Sequence, residues 1–384
     1  MVGVVDRGAA VGHLGAVSEA KALAEPRIRG LDGLRAVAVG IVLVAHFGLY
    51  KWVPGGFGVT LFFFISGMLI TRLLMLEYNN TGRVHVVNFY IRRFLRLYPA
   101  LLLSVAASAA LYPVFGGHVT WKEVAAVLFY YANFYNIDVG FLLGGGETAH
   151  GTFATFGVLW SLAVEEQYYL VFPLIMLWLI QDLRKAAIFF TGVMIACLLW
   201  RIALYDMGYI SRIYSATDTR IDSILYGALM AVWLARDSSG RLLRVLSNPL
   251  SFVGGLAIIL FTLLYRDEWF RQTWRYSMQG LALMPIVATI CFSNRQAWLR
   301  HILETRFMVW MGGLSYSLYI FHGHAIVVGE NLFHIDYMDS FRTFPPAYFL
   351  LVVSLTFILA SVSHYGVERP LFALRTRFGS NVSA

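Results

Sequence analysis

The sequence predicts an all-α, polytopic transmembrane helix bundle of about ten spans, and three observations carry that prediction. The chain is 59% hydrophobic and only 14% charged over 384 residues, too apolar for a soluble domain of that length. Its apolar residues gather into runs suited to a hydrocarbon core about 30 Å thick. Most charged residues fall between those runs. A net charge of +8 does not point to nucleic acid, because no basic patch is interleaved with stacking aromatics outside the runs. It reads as an orientation signal and as contact with anionic membrane lipid. The two cysteines, Cys197 and Cys291, lie in apolar runs, so neither a disulfide framework nor a metal site is expected. Residues 1–26 are mildly polar and lack a short apolar core with a cleavage site, so no signal peptide is expected.

Taken in order, hydropathy and charge placement predict spans at 36–50, 57–76, 97–115, 160–180, 187–205, 221–235, 250–265, 276–293, 307–328 and 345–366. The first is AVAVGIVLVAHFGLY, closed off on its N-terminal side by Arg35. The second is built on LFFFISGMLI, and the third follows the basic stretch IRRFLR. The fourth begins at Trp160 and takes two glutamates into an apolar run. A further segment, 121–137, is amphipathic and rich in Tyr, Phe and Asn; it reads as an eleventh span or as an interfacial or re-entrant helix. Charge favours ten. With the N-terminus inside, 21 of the 30 Lys and Arg fall in inside segments, whereas an eleventh span would put Arg236, Arg241, Arg244, Arg295, Arg300 and Arg306 outside. The expected organisation is an N-terminal tail over 1–27, one membrane domain over 28–371 and a C-terminal tail over 372–384, with both tails cytoplasmic and the chain in the cell (inner) membrane.

Ionisable groups within the runs mark the candidate site, because such groups are costly in lipid. Arg35 and His46 have ten residues between them, which at 100° per residue is about 20° past three turns, so they share a helix face. The rise between them is about 16 Å. Arg35 also fits a plain inner flank, and His46 a hydrogen-bonded packing histidine. Arg93 and Arg96 share a face three residues apart and suit one anionic group; Arg92 and Arg72 lie near them in sequence. Ser66 and Gly67 suit close helix approach better than nucleophilic chemistry. In WSLAVEEQYYL, Glu165 and Glu166 enter at about the depth of His46, where a carboxylate would orient the imidazole as a general base. Pairing of either glutamate with Arg201 or Arg220 is the structural alternative. Arg220, Asp222 and His322 lie at comparable depth and read as contacts for a sugar hydroxyl, as relay partners or as structural pairs.

With those residues in view, the chain resembles the acyltransferase-3 family of integral membrane O-acyltransferases. The matching stretches are LDGLRAVAVGIVLVAHF, FFFISGMLI, RRFLRLYPAL, WSLAVEEQYYL, TRIDSILYG, MGGLSYSLYIFH and VERP, in family order from Ile28 to Leu371. The resemblance implies ten spans and transfer of an acyl group, usually acetyl, from cytoplasmic acyl-CoA to a hydroxyl of a carbohydrate or glycoconjugate acceptor. It matches Arg35 and His46 to the family's essential pair, and Arg93 and Arg96 to its double-arginine motif. The soluble esterase-like domain that some members carry at the C-terminus is absent from this sequence, so no help from it is expected.

The expected mechanism has Arg93 and Arg96, with Arg92, Arg72 and Arg35, binding the phosphates of acyl-CoA, acetyl-CoA being the donor that the resemblance implies, while its arm threads toward His46. His46, oriented by Glu165 or Glu166, then either deprotonates the acceptor or is itself transiently acylated. The rival class is a transporter or flippase using the same buried groups as an ion or substrate path; no duplicated half supports it. Oligomeric state and acyl length are not encoded in any of these features.

Overall fold

The computed structural model describes residues 28–49, 52–139, 153–335 and 345–378, and every regular element among them is helical. The tail expected over 1–27 and the last six residues of the tail expected over 372–384 lie outside the described residues. The main helices are α1 (Leu31–Val44), α2 (Gly55–Thr81), α3 (Val86–Val114), α4 (Trp121–Leu128), α5 (Ala132–Asp138), α6 (Trp160–Leu179), α7 (Leu183–Asp206), α8 (Thr217–Arg236), α9 (Pro249–Leu264), α10 (Trp274–Phe292), α11 (Ala297–Leu303), α12 (Arg306–Gly313), α13 (Ser315–Phe333) and α14 (Pro346–Ser363).

The burial pattern is that of a protein solvated by lipid. Leu170, Leu174, Trp178, Ile188, Leu199 and Leu264 are exposed on the outer surface, while Arg201 and Arg220 are fully buried. Six helices are long and apolar enough to cross a membrane alone: Leu31–Leu49, Gly55–Thr81, Val86–Val114, Gly157–Leu179, Leu183–Asp206 and Pro346–Phe372. A seventh is added if α10 and α11, bent by 83°, form one broken span. The chain is therefore a multi-pass membrane protein, but by this measure it has fewer spans than the ten expected, although helices lie over all ten segments. The reason is polarity and length. α8 buries Arg220 and Asp222, α13 buries Ser317, His322 and His324, and α9 has only 16 residues. The predicted span 307–328 is divided at Leu314 between α12 and α13.

The segment 121–137 is not an eleventh span. Its two helices, α4 and α5, have 8 and 7 residues, about 12 Å each at most, and a capping box of Thr120 and Glu123 starts the first. The break falls at Tyr130, whose φ of 54° is left-handed. Gln167 of α6 donates to the freed Tyr130 carbonyl at 2.7 Å and to Asn133 Oδ1 at 3.0 Å, which pins the segment against the bundle. Broken backbone at membrane depth is tolerated where protein satisfies it in this way.

Small residues set the closest helix pair. A Cβ on Gly67 of α2 would lie 1.9 Å from the Ile224 carbonyl oxygen of α8, and one on Gly227 of α8 would lie 1.9 Å from that of Phe64. The two backbones thus meet through reciprocal glycines, as the small residues beside FFFI suggested. At the end of α1, residues 45–49 form a wide π-type turn in which Gly48 has φ 108°, a value that excludes most L side chains. That turn carries His46. Between α6 and α7, Asp182 accepts the Arg184 and Lys185 backbone N–H groups, which hold its carboxyl below the usual carboxylate range and start α7.

Candidate active site

Two cavities enter the bundle and share a wall. The first, about 70 Å³, is lined by Arg35, Arg93, Arg96, Ser66, Glu165 and Tyr169, among others. The second, about 270 Å³, contains His46, with Trp160, Tyr214 and Tyr276 on its sides. Val59 of α2 and Tyr319 of α13 line both. The Tyr319 hydroxyl is fixed between the Val158 carbonyl and Ser161 Oγ, each at 2.5 Å, so the shared wall is a held side chain.

In the arginine cavity, α1 supplies Arg35 and α3 supplies Arg93 and Arg96, the pair that three-residue spacing put on one face. Arg35 pairs loosely with Asp32 at 3.9 Å, and the Arg93 guanidinium lies 4.5 Å from the Tyr169 ring centroid. Ser66 and Tyr169 both donate to Glu165 Oε1. Glu166 lies within electrostatic range of Arg93 and Arg96.

Arg92 and Arg72, expected in this cluster, turn away from it. Arg92 is about 100° around α3 from Arg93 and bonds the Phe378 carbonyl at 2.8 Å and Glu77 at 3.4 Å. Arg72 faces the opposite flank of α2, its guanidinium 5.8 Å from the Phe292 ring.

At the histidine cavity the expected carboxylate partner is replaced by a second imidazole. Glu165 is held by Ser66 and Tyr169 on the arginine side, whereas the His322 ring lies 5.0 Å from that of His46, centroid to centroid. His322 Nδ1 is 2.6 Å from the Tyr319 carbonyl, which can only accept, so this nitrogen carries the proton. Its Nε2 is then a proton acceptor, and it has no hydrogen-bond partner among the described residues. His324, two residues on, turns to α3 and contacts Ser108 Oγ at 2.9 Å and the Ser104 carbonyl at 3.0 Å.

Asp222 and Arg220 line neither cavity. Asp222 forms a fully buried ion pair with Arg201 at 2.7 Å, and Arg201 also donates to the carbonyls of Thr219 and Thr273 and to Ser277 Oγ. Asp222, and not either glutamate, is the carboxylate that pairs with Arg201. Arg220 donates to the Tyr214 carbonyl and to Thr60, and stacks 4.0 Å from the Tyr276 centroid and 5.4 Å from that of Trp160. It braces the aromatic wall of the histidine cavity from behind. Asp222→Ala would strand Arg201 without a carboxylate and should cost about 3–5 kcal/mol of stability. Thermal unfolding in detergent checks this, and an unchanged midpoint would contradict the structural role.

In this apolar bundle a guanidinium-lined cavity and an imidazole-lined cavity thus lie on either side of one tyrosine and one valine. A family model described as an acyltransferase domain matches residues 28–365, and the chain belongs to this acyltransferase-3 family. Among its relatives, "Putative O-acetyltransferase SACOL0978" of Staphylococcus aureus (strain COL) is 34% identical over 359 residues, 89% of this chain and 57% of that protein. "Putative peptidoglycan O-acetyltransferase YrhL" of Bacillus subtilis (strain 168) is 31% identical over 358 residues, 90% of this chain and 55% of the relative. "O-acetyltransferase OatA" of S. aureus (strain NCTC 8325 / PS 47) is 30% identical over 362 residues, 89% and 57% of the two chains. The chain thus spans a little over half the length of these curated relatives. No solved structure matches it.

Tyr319, Tyr169 and Val59 were not singled out from sequence, although Tyr319 lies in the stretch GGLSYSLYIFHGH that drew attention to His322. The signal for Tyr319 was its place one turn before His322, which puts both on one face of α13.

Proposed function

We propose that the chain is a membrane O-acyltransferase that moves an acetyl group from acyl-CoA to a carbohydrate hydroxyl of the cell envelope, with peptidoglycan the acceptor that the name of one relative suggests. The observation that carries this reading is the shared wall: Arg35, Arg93 and Arg96 on one side, His46 on the other, and only Val59 and Tyr319 common to both. The arginines bind the donor's phosphates from the cytoplasm with forked, charge-assisted hydrogen bonds. The rise of about 16 Å from Arg35 to His46 matches the arm that separates those phosphates from the thioester. The Lys and Arg asymmetry supports the same orientation, with ten crossings, both termini cytoplasmic and the chain in the inner membrane.

The acceptor hydroxyl enters the larger cavity against His46, which takes its proton as the oxygen attacks the thioester carbonyl. His322, held in its Nδ1–H form, positions His46 and can accept the proton at Nε2. The C–S bond breaks, and the leaving thiolate recovers that proton to become CoA thiol. Glu165 accepts from Tyr169 and so positions its ring beside Arg93.

The test uses purified protein in sealed vesicles with radiolabelled acetyl-CoA on one face and peptidoglycan fragments on the other. Label is expected on the acceptor only when acetyl-CoA meets the face carrying Arg93. Transfer with both substrates confined to the opposite face would reject the assigned direction. Transport of intact acetyl-CoA without acetylation would favour the transporter reading.

A further inference from the structure

The larger cavity carries more charge than acyl transfer to a neutral sugar requires. Arg266, Arg271 and Arg275 all line it, and no Asp or Glu does among the described residues. Arg266 is exposed and makes no side-chain hydrogen bond or ion pair among the described residues. Arg271 holds Glu268 at 2.8 Å in a part-exposed pair, a class of interaction worth about 0–1 kcal/mol and readily exchanged for a ligand. Arg275 donates to the Tyr276 hydroxyl at 3.0 Å. Orientation in the membrane does not account for them, since in the proposed topology they lie on the face from which the positive-inside rule depletes arginine. The same cavity presents Trp160, Tyr214 and Tyr276, flat apolar faces suited to the C–H face of a sugar ring.

We propose that this cavity recognises an acceptor carrying a negative charge, a carbohydrate with a carboxylate or a phosphate, which the three arginines grip so that a hydroxyl lies against His46. The proposal rests on the reading that the acceptor enters here and the donor at Arg93. The anion fixes register: forked guanidinium donors hold it at the rim while the ring stacks on the aromatic wall, leaving one hydroxyl able to reach the imidazole. Because the grip lies away from the reacting atoms, it acts on acceptor binding and not on the chemical step.

The test uses the full chain in phosphatidylcholine nanodiscs with radiolabelled acetyl-CoA and two acceptor pairs. One pair is a peptidoglycan disaccharide-peptide with free carboxylates against its methyl ester; the other is an amino-sugar 1-phosphate against the free sugar. The anionic member of at least one pair should show a KM about 10- to 100-fold lower, and which pair responds identifies the group. Changing Arg266, Arg271 and Arg275 together to Gln should bring that ratio towards one. The matching Lys triple variant should retain most of it, which guards against a folding artefact. Equal KM values within both pairs for the wild type would overturn the proposal while leaving the acyltransferase reading intact. If the Gln variant changes only the response to added anionic lipid, the rim is a headgroup contact and the proposal fails. If instead it raises the KM for acetyl-CoA, the donor enters at this face and the underlying assignment of the two cavities is what fails.

Discussion

His46→Ala is expected to lower acetyl transfer by about 10²–10⁴-fold through kcat, with little change in the KM for acetyl-CoA, because it removes the general base and leaves the arginine cavity intact. His46 lines the larger cavity at a wide turn closed by Gly48, so backbone geometry holds its ring at that cavity. Among the described residues its Nδ1 has no side-chain partner, so truncation orphans no described polar group and the variant should accumulate in the membrane. Transfer of radiolabelled acetyl to peptidoglycan fragments, normalised to protein in the membrane, measures the loss. Activity within tenfold of wild type would remove His46 from the chemistry. The neighbouring ring gives a graded control: His322→Gln keeps a polar side chain but loses the imidazole acceptor, and should lower kcat less than His46→Ala while acting on the same parameter.

What the sequence revealed of this site divides by physical cause. Periodicity within one helix was legible: Arg93 and Arg96 line one cavity together, and Arg35 and His46 sit on adjacent cavities, because a helix fixes the relative angle of its own side chains. Glycines that set interhelical distance were legible too, since Gly67 stands out in a bulky run. Contacts between helices were not. Depth alone suggested a meeting of Glu165 with His46, but the rotation of α6 about its axis carries Glu165 to Ser66 and Tyr169. The same limitation separates Arg92 from Arg93, since adjacent residues diverge by about 100° and charge density cannot tell which one turns inward. Asp222 read as a sugar-hydroxyl contact, a relay partner or a structural pair, and its partner Arg201 comes from another helix at a rotation that hydropathy does not encode. Six of the expected spans pass on length and apolar composition alone, for a related reason. Helices whose polar residues face protein fall below an apolar threshold, and which face is sheltered depends on neighbours.

Arg93→Ala combined with Arg96→Ala should raise the KM for acetyl-CoA by about 10²–10⁴-fold, given about 1.5–3 kcal/mol for each hydrogen bond to a charged group and about 1.4 kcal/mol per decade. The two guanidinia line one cavity from consecutive turns of α3, and the Arg93 group is already oriented by its stack on Tyr169, so little ordering cost opposes donor binding. Lysine at both positions keeps the charge but loses the fork, and an intermediate loss of about tenfold is expected. Neither change should affect stability as Asp222→Ala does, since neither arginine belongs to the buried Arg201 network. The decisive comparison replaces acetyl-CoA with acetyl-pantetheine, which keeps the thioester and arm but has no nucleotide phosphates. Wild type should use it poorly, and the double alanine variant should lose no more than about twofold with it, because the contacts removed are contacts that this donor never makes. An equal loss with both donors would mean that Arg93 and Arg96 shape the cavity and do not hold phosphate, and the assignment of the donor to that end of the bundle would have to be abandoned.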